Sequence, residues 1–290
     1  MNRMTGLLIL SFIVGLSCKS ETSIPVVEDI QLPQEESAPE DEEIHSLHDE
    51  SIEEDIPSTT IHVLVALCDN KYQGIVPVPK ILGNGQDPRN NLYWGAAYGV
   101  KTYFKKSAEW HLIQTTKDVG SSIMERLVFR HIDKNLYLVA DAYDGRHIKK
   151  TTRDFLEFSS GNKKDKLVLE DGSVMGIGGQ ASLIAYLGHD GLMDFQINEE
   201  YKNTDGIRRD VIIPACFSKS YFEPHLTQAK VNPLVWSTGL MAPEAYVLHD
   251  ALSSYIENNS NEEICTRAAQ AYSKYQKCSL RAAQRLLVTQ

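Results

Sequence analysis

The pattern of hydrophobic and polar positions changes sharply near residue 59. From there onward, short and nearly continuous apolar runs alternate with stretches in which apolar residues recur every three or four positions. Continuous runs are typical of strands buried on both faces of a parallel sheet. The three-to-four spacing is typical of amphipathic helices. This alternation predicts an α/β domain over residues 59–290, with a mostly parallel sheet flanked by helices.

The predicted elements follow from these two patterns. Strands are expected at 61–68, 110–115, 126–132, 136–142, 181–188, 211–216 and 233–237. Helices are expected at 92–105, 145–158, 217–229, 242–257 and 261–277, with a helical C-terminal tail at 280–288. The segment 69–91 is rich in Gly, Pro and Asn, which predicts a long loop. The glycine-rich segment 175–179 is expected to be a flexible connection.

Residues 1–18 have the pattern of a secretory signal peptide. Arg3 gives a positive start, an apolar run of ten residues follows at 7–16, and Gly15 and Ser17 precede Cys18. The run is too short to cross a bilayer comfortably, and its flanks are typical of a signal peptide. The ending Gly15-Leu16-Ser17-Cys18 resembles the lipobox of bacterial lipoproteins. The resemblance implies lipidation of Cys18 by acyl chains such as palmitate, and a lipid-anchored place in the bacterial cell envelope, periplasmic or surface-exposed. The alternative is an ordinary cleaved signal peptide.

Residues 19–58 have the composition of an acidic, disordered tether. They hold 14 acidic residues, one basic residue, four prolines and no aromatic residue, and therefore carry a charge of −13. Such a segment cannot bury enough apolar surface to offset its ordering entropy. The remainder, 59–290, is nearly neutral, with 25 acidic and 27 basic residues. It lacks the basic stripe that a duplex-binding domain needs, so no nucleic-acid partner is expected.

A histidine and a cysteine stand at the ends of two predicted buried strands. His189 follows the strand 181–188, and Cys216 ends the strand 211–216. Sites in open α/β sheets form beyond the carboxyl ends of the strands. A thiol needs a neighbouring base or acid to act as a nucleophile, and histidine titrates in the required range. These residues therefore predict a catalytic dyad. The alternative is a cysteine buried for packing and a loop histidine.

In the caspase-like cysteine peptidases, a strand followed by His and Gly precedes a strand followed by Ala and Cys. The order in this chain resembles that pattern. The family includes caspases, gingipains, clostripain and CHAT domains. Residues 181–218 carry this resemblance. It implies a caspase-like fold with Cys216 as the nucleophile and His189 as the acid/base. It also implies that the backbone N–H groups of Gly191 and Cys216 bind the oxyanion. Asp190 stands where the family usually has glycine, and a charge there would raise the pKa of the thiol.

The favoured function is a membrane-anchored bacterial cysteine peptidase that acts on a peptide or protein substrate and needs no cofactor or metal. Asp69 and Asn70, which follow the first predicted strand, and Asp190 are expected to bind the substrate. The alternative is a non-catalytic caspase-like binding module that presents the loop 69–91 to a ligand or protein partner. A zinc site from Cys68, His189 and Cys216 lacks the close ligand spacing of known zinc sites.

Overall fold

An eight-stranded mixed sheet forms the centre of residues 59–289, the part of the chain that this computed structural model describes. The predicted signal peptide, lipidation site and tether, at 1–58, lie outside the described residues. The strands of the sheet are β1 (Thr59–Ala66), β2 (Trp110–Lys117), β3 (Ile123–His131), β4 (Leu136–Tyr143), β7 (Leu183–Gly188), β8 (Asp210–Ile213), β9 (Asn232–Ser237) and β10 (Leu287–Val288). A separate hairpin is formed by β5 (Lys164–Val168) and β6 (Val174–Gly178). The helices are α1 (Val100–Lys105), α2 (Ile148–Ser160), α3 (Ser218–Ala229), α4 (Ala245–Ile256), α5 (Asn261–Gln276) and α6 (Leu280–Leu286).

The strand order across the sheet is β10-β9-β8-β7-β1-β4-β3-β2. The five central strands, β4, β1, β7, β8 and β9, run parallel to one another. The outer strands β2, β3 and β10 pair antiparallel with their neighbours. The predicted α/β class, with a mostly parallel sheet and a helical C-terminal region, is confirmed. Taken in chain order, the parallel strands are arranged 2-1-3-4-5, so the winding reverses between β1 and β7. Such a reversal opens a crevice at the carboxyl ends of the strands.

Helices cover both faces of the sheet. Alternate residues of β1 point to opposite sides, as the two-residue period of a strand requires. Val63 and Val65 pack with α1, α4 and α5 on one face. Leu64 and Ala66 pack with α2 and α3 on the other face. Both faces of β1 are therefore shielded from solvent, which explains its nearly unbroken apolar sequence. None of the described helices is long and apolar enough to cross a membrane.

The predicted helix at 92–105 is wrong in its first half. Only α1, at its C-terminal end, is helical, and residues 92–99 form a series of turns. The Asn91 carbonyl accepts hydrogen bonds from the N–H groups of Trp94, Gly95 and Ala96. A side chain at Gly95 would overlap the Arg89 carbonyl oxygen. The turns therefore fold back on the loop before them instead of extending α1.

Two other predictions differ from the structure in the segments with weak patterns. Residues 175–179, expected to be flexible, largely form β6, because Met175 and Ile177 bury against Val128 and Val139 of the main sheet. The helical tail ends at Leu286, and the next two residues form β10 beside β9. The contacts that hold both segments come from distant parts of the chain.

Candidate functional site

The ends of β1, β7 and β8 bring together most of the residues that the sequence indicated. Asp69 lies just after β1, His189 directly follows β7, and Cys216 lies three residues after β8. Since β7 pairs in parallel with both β1 and β8, these ends lie at one edge of the sheet. The crevice expected from the reversal between β1 and β7 lies at this same edge.

His189 is held by a carboxylate that the sequence analysis did not identify. The imidazole is 6% exposed, and its Nε2 lies 2.7 Å from Oδ2 of Asp194. The same oxygen accepts a hydrogen bond from the Gly74 N–H at 2.8 Å, which ties the loop after β1 to the loop after β7. A short 3-10 turn, Gly191–Met193, returns the chain so that Asp194 faces His189. Within the described residues Nδ1 has no hydrogen-bond partner, so this nitrogen is not committed to another group.

Cys216 lies at a sharp turn before α3. Phe217 adopts a left-handed backbone conformation with φ of 50°, and α3 begins at the next residue. The thiol is half-buried, and its Sγ lies 3.4 Å from both the N and the O of Met241. Burial raises the pKa of the thiol, and Asp190 raises it further, against a lowering by the Met241 N–H. The free thiol is therefore protonated at neutral pH.

The structure brings His189 and Cys216 to one edge but does not join them by a hydrogen bond within the described residues. The imidazole pairs with Asp194, and the thiol pairs with the backbone of Met241. Catalytic hydrogen bonds are often long before substrate binds and tighten only in the reacting complex. The arrangement therefore allows a dyad in which His189 keeps its contact with Asp194, while the contact of the thiol with Met241 must loosen.

Asp190 is a buried carboxyl and not an exposed contact for a substrate. Its side chain is 0% exposed, and Oδ1 accepts a hydrogen bond from the Leu192 N–H at 2.9 Å. Oδ2 is buried without a hydrogen-bond partner in the described part of the chain. Burial raises the pKa of Asp190 to about 7, with a smaller contribution from Asp194. Asp190 therefore changes its charge near neutral pH within electrostatic range of the thiol.

Gly191 opens the 3-10 turn, and its backbone N–H approaches the buried hydroxyl of Tyr186. A Cβ at this position would overlap the Phe195 ring and press against Thr152. A side chain here would therefore require the Phe195 ring to shift. The loops that carry the backbone N–H groups of Gly191 and Cys216 leave neighbouring strands at the same edge. The Gly191 N–H must turn away from Tyr186 before it can bind an oxyanion.

Asp69 and Asn70 hold the loop 69–91 in place. Asp69 is 2% exposed; its Oδ1 accepts from the Lys71 N–H at 2.8 Å, and its Oδ2 from the Gln86 amide at 2.7 Å. Asn70 pairs with both the N–H and the carbonyl of Val78. These contacts use the Asp69 carboxylate and one N–H and the oxygen of the Asn70 amide inside the loop, so both side chains fix the loop.

The exposed residues of this loop are mixed: Lys71, Lys80 and Arg89 are charged, and two large apolar side chains lie among them. Val76 is 87% exposed and Ile81 is 61% exposed. Asn91 closes the loop by pairing with the N–H and the carbonyl of Cys68. The loop is thus a fixed platform with apolar side chains on its outer side.

Cys68 lies behind this edge as a packing residue. Its side chain is fully buried, and burial raises the pKa of the thiol to about 11, against a smaller lowering by Tyr93. All four cysteines of the described region, Cys68, Cys216, Cys265 and Cys278, are free. No group of three or more His, Cys, Asp or Glu side chains between residues 59 and 289 is arranged to hold a metal ion.

Comparison with known proteins gives no relative from which a function could be transferred: no family model, curated protein or solved structure matches this chain.

Proposed function

We propose that the protein is a cysteine peptidase of the caspase-like type, with Cys216 as the nucleophile and His189 as the acid/base. One observation carries the proposal. His189 and Cys216 follow the neighbouring parallel strands β7 and β8, at the edge where the winding of the sheet reverses. Sites of doubly wound sheets lie at such an edge, and the order of strand, histidine, strand and cysteine resembles that of the peptidase group.

The reaction uses groups already placed at this edge. Cys216 Sγ bonds to the scissile carbonyl carbon while the thiol proton passes to the imidazole of His189. The carbonyl oxygen becomes an oxyanion that accepts a hydrogen bond from the N–H of Cys216 and, once that group turns away from Tyr186, from the N–H of Gly191. When the carbonyl re-forms, the C–N bond breaks and the imidazolium returns its proton to the leaving amine. Water then hydrolyses the thioester and restores the thiol.

Asp194 is the positioning residue in this scheme. Its contact with Nε2 of His189, at 2.7 Å, fixes the orientation of the ring. The Gly74 N–H holds the carboxylate in turn. This leaves Nδ1 to exchange the proton with sulfur and amine.

We also propose that Cys18 anchors the protein by a lipid in the bacterial cell envelope, with residues 19–58 as the spacer. The support is the lipobox-like ending at Cys18 and the acidic composition of 19–58. Two or three acyl chains would give firm membrane binding, whereas a single chain binds only marginally.

A non-catalytic binding module is the second candidate, and a specific observation favours it. The pKa of Cys216 is raised by burial and by Asp190, and the thiol pairs with Met241 in place of His189. A cysteine in that state is a weak nucleophile. In this reading, the apolar side chains Val76 and Ile81 on the loop 69–91 contact a partner.

Hydrolysis of a fluorogenic peptide library by the full chain separates the two functions. Cys216→Ala should abolish hydrolysis, and His189→Ala should lower kcat by about 10²- to 10⁴-fold, the usual contribution of a general acid/base. Asp194→Asn should lower kcat more than it raises KM, because it alters the ring and not the substrate contacts. Cys278→Ala, which removes another half-buried thiol, is the matched control and should keep full activity. Hydrolysis that survives Cys216→Ala, or a folded natural protein with no hydrolysis of any library member, contradicts the peptidase proposal.

A further inference from the structure

A cleft of about 470 Å³ opens at the opposite edge of the sheet, where the parallel strands begin. Its walls come from the starts of β1, β8 and β9, the turn before β4, and the turn between α4 and α5. Cys216 lies at the other ends of these strands, so the cleft is separate from the candidate active site. We call it the asparagine cleft because five asparagines line it: Asn135, Asn232, Asn258, Asn259 and Asn261.

The charges of the asparagine cleft balance. Lys134 and Asp210 are the charged residues among those that line it, and they have opposite signs. An anionic ligand such as a phosphate would find one cation and one anion, with no net attraction. The lining therefore favours a ligand that is polar and uncharged.

Three asparagines of the cleft, Asn232, Asn259 and Asn261, are held in fixed positions. The Asn232 amide donates to Asp210 Oδ1 at 2.6 Å, and the Asn261 amide donates to Asn232 Oδ1 at 2.9 Å. The Asn259 amide donates to Ser254 Oγ at 3.0 Å. A site whose donors and acceptors are oriented beforehand loses less entropy when a ligand binds.

Hydrogen-bonding capacity remains after these contacts. The Asn261 amide exchanges hydrogen bonds with the Asn232 amide, accepting at 3.5 Å, and keeps a second N–H. The Asn258 side chain has no partner among the described residues. Burial, together with Asp210, raises the pKa of Tyr255 to about 12, so its hydroxyl stays neutral. Each amide group offers a donor and an acceptor side by side. The ring of Tyr255 and the side chain of Ile256 add apolar surface to the same walls.

We propose that the asparagine cleft binds a short neutral saccharide of one or two rings. Every sugar hydroxyl is both a donor and an acceptor, which matches the free donor and acceptor of Asn258 and the remaining N–H of Asn261. The C–H face of a sugar ring is apolar and fits against Tyr255 and Ile256. The volume lies within the usual range for small-molecule sites, about 300–1,000 Å³. This proposal does not depend on peptidase activity.

Titration of the ¹⁵N-labelled protein with neutral disaccharides tests the proposal. The probes are maltose, cellobiose and N,N′-diacetylchitobiose, with glucose 6-phosphate as the charged comparison. At least one neutral probe should give saturable amide shifts at the turn 257–261 and at the start of β9. Asn258→Gly and Asn261→Ala should each weaken binding by about 3- to 10-fold, the value of one hydrogen bond. Glycine suits position 258 because its φ is 57°, a left-handed conformation.

Asn198→Ala is the matched control, because Asn198 is an exposed asparagine outside the cleft. It should leave the affinity unchanged. The absence of saturable shifts with all three neutral probes overturns the proposal. So does equal affinity in the folded Asn258→Gly and Asn261→Ala variants, or a preference for glucose 6-phosphate over every neutral probe.

Discussion

Replacing Asp190 with asparagine removes a buried charge while keeping the shape of the side chain. Asp190 is 0% exposed, and Oδ1 caps the turn after His189 by accepting the Leu192 N–H. Asparagine also carries an oxygen that can accept this bond. The variant therefore isolates the effect of the charge on stability and on the neighbouring thiol.

The size of the effect follows from the change in pKa on folding. Burial raises the pKa of Asp190 from its ordinary value of 3.8 to about 7. Between these values the folded state holds one proton more than the unfolded state. The free energy of unfolding of the natural protein therefore falls with rising pH, by about 1.4 kcal/mol per pH unit. The loss is complete above the folded pKa and totals about 4 kcal/mol.

Asparagine does not titrate, so the variant escapes this loss. Its stability relative to the natural protein should rise by about 2 kcal/mol between about pH 5.5 and 8.5. Urea unfolding followed by circular dichroism at the two pH values measures this difference. Asp133→Asn, at an exposed position before β4, is the control and should show little change. A difference for Asp190→Asn that stays constant across the range would refute the reasoning.

The same variant should alter the reactivity of Cys216. Because the Asp190 carboxylate raises the pKa of the thiol, its removal should lower the pH at which iodoacetamide modifies Cys216. Rates measured by mass spectrometry across the pH range give the midpoint for each protein. An unchanged midpoint would mean that Asp190 shapes the turn without acting on the thiol.

Three further predictions concern the core and the N-terminal region. Arg126→Met should lower the free energy of unfolding in urea by about 3–5 kcal/mol. The change leaves the fully buried Asp141 carboxylate without its bidentate partner and with His62 as its remaining partner in the described part of the chain. A loss below about 1 kcal/mol, as for a surface ion pair, contradicts this prediction. Cys18→Ala should release the protein from membranes or leave the precursor unprocessed, and an unchanged membrane fraction and mature mass would rule out the lipid anchor. A chain beginning at residue 59 should melt within a few degrees of the longer protein, since 19–58 offers little apolar surface to bury; a large drop would show that the segment docks on the domain.

The elements with strong local patterns were predictable from sequence. The apolar run containing β1 is buried on both faces, and this burial requires the unbroken hydrophobic sequence that identified it. The same reasoning located the strands before His189 and Cys216. It failed at 92–99, where turns around Asn91 replace a helix. It also failed at β6, whose burial depends on β3 and β4, strands that the local sequence does not reveal.

Only part of the site could be predicted from the sequence, because its side-chain contacts also depend on the fold. Parallel strand ends meet at one edge, so the common location of His189 and Cys216 could be inferred. The direction of a side chain depends on the local turn. Asp69 points into its own loop, and Asp194 reaches His189 only because a 3-10 turn reverses the chain. A carboxylate five residues after the histidine was the available signal, but spacing alone does not specify that turn.

Covalent trapping measures most directly whether Cys216 attacks a peptide carbonyl. Peptidyl acyloxymethyl ketones place an electrophilic centre where the scissile bond would lie, and mass spectrometry of the native protein locates the adduct. We predict one adduct at Cys216, slowed strongly by His189→Ala, with Cys68, Cys265 and Cys278 unmodified. Failure of every probe to label Cys216 until the protein unfolds, or labelling that is equally fast without His189, would contradict the peptidase assignment.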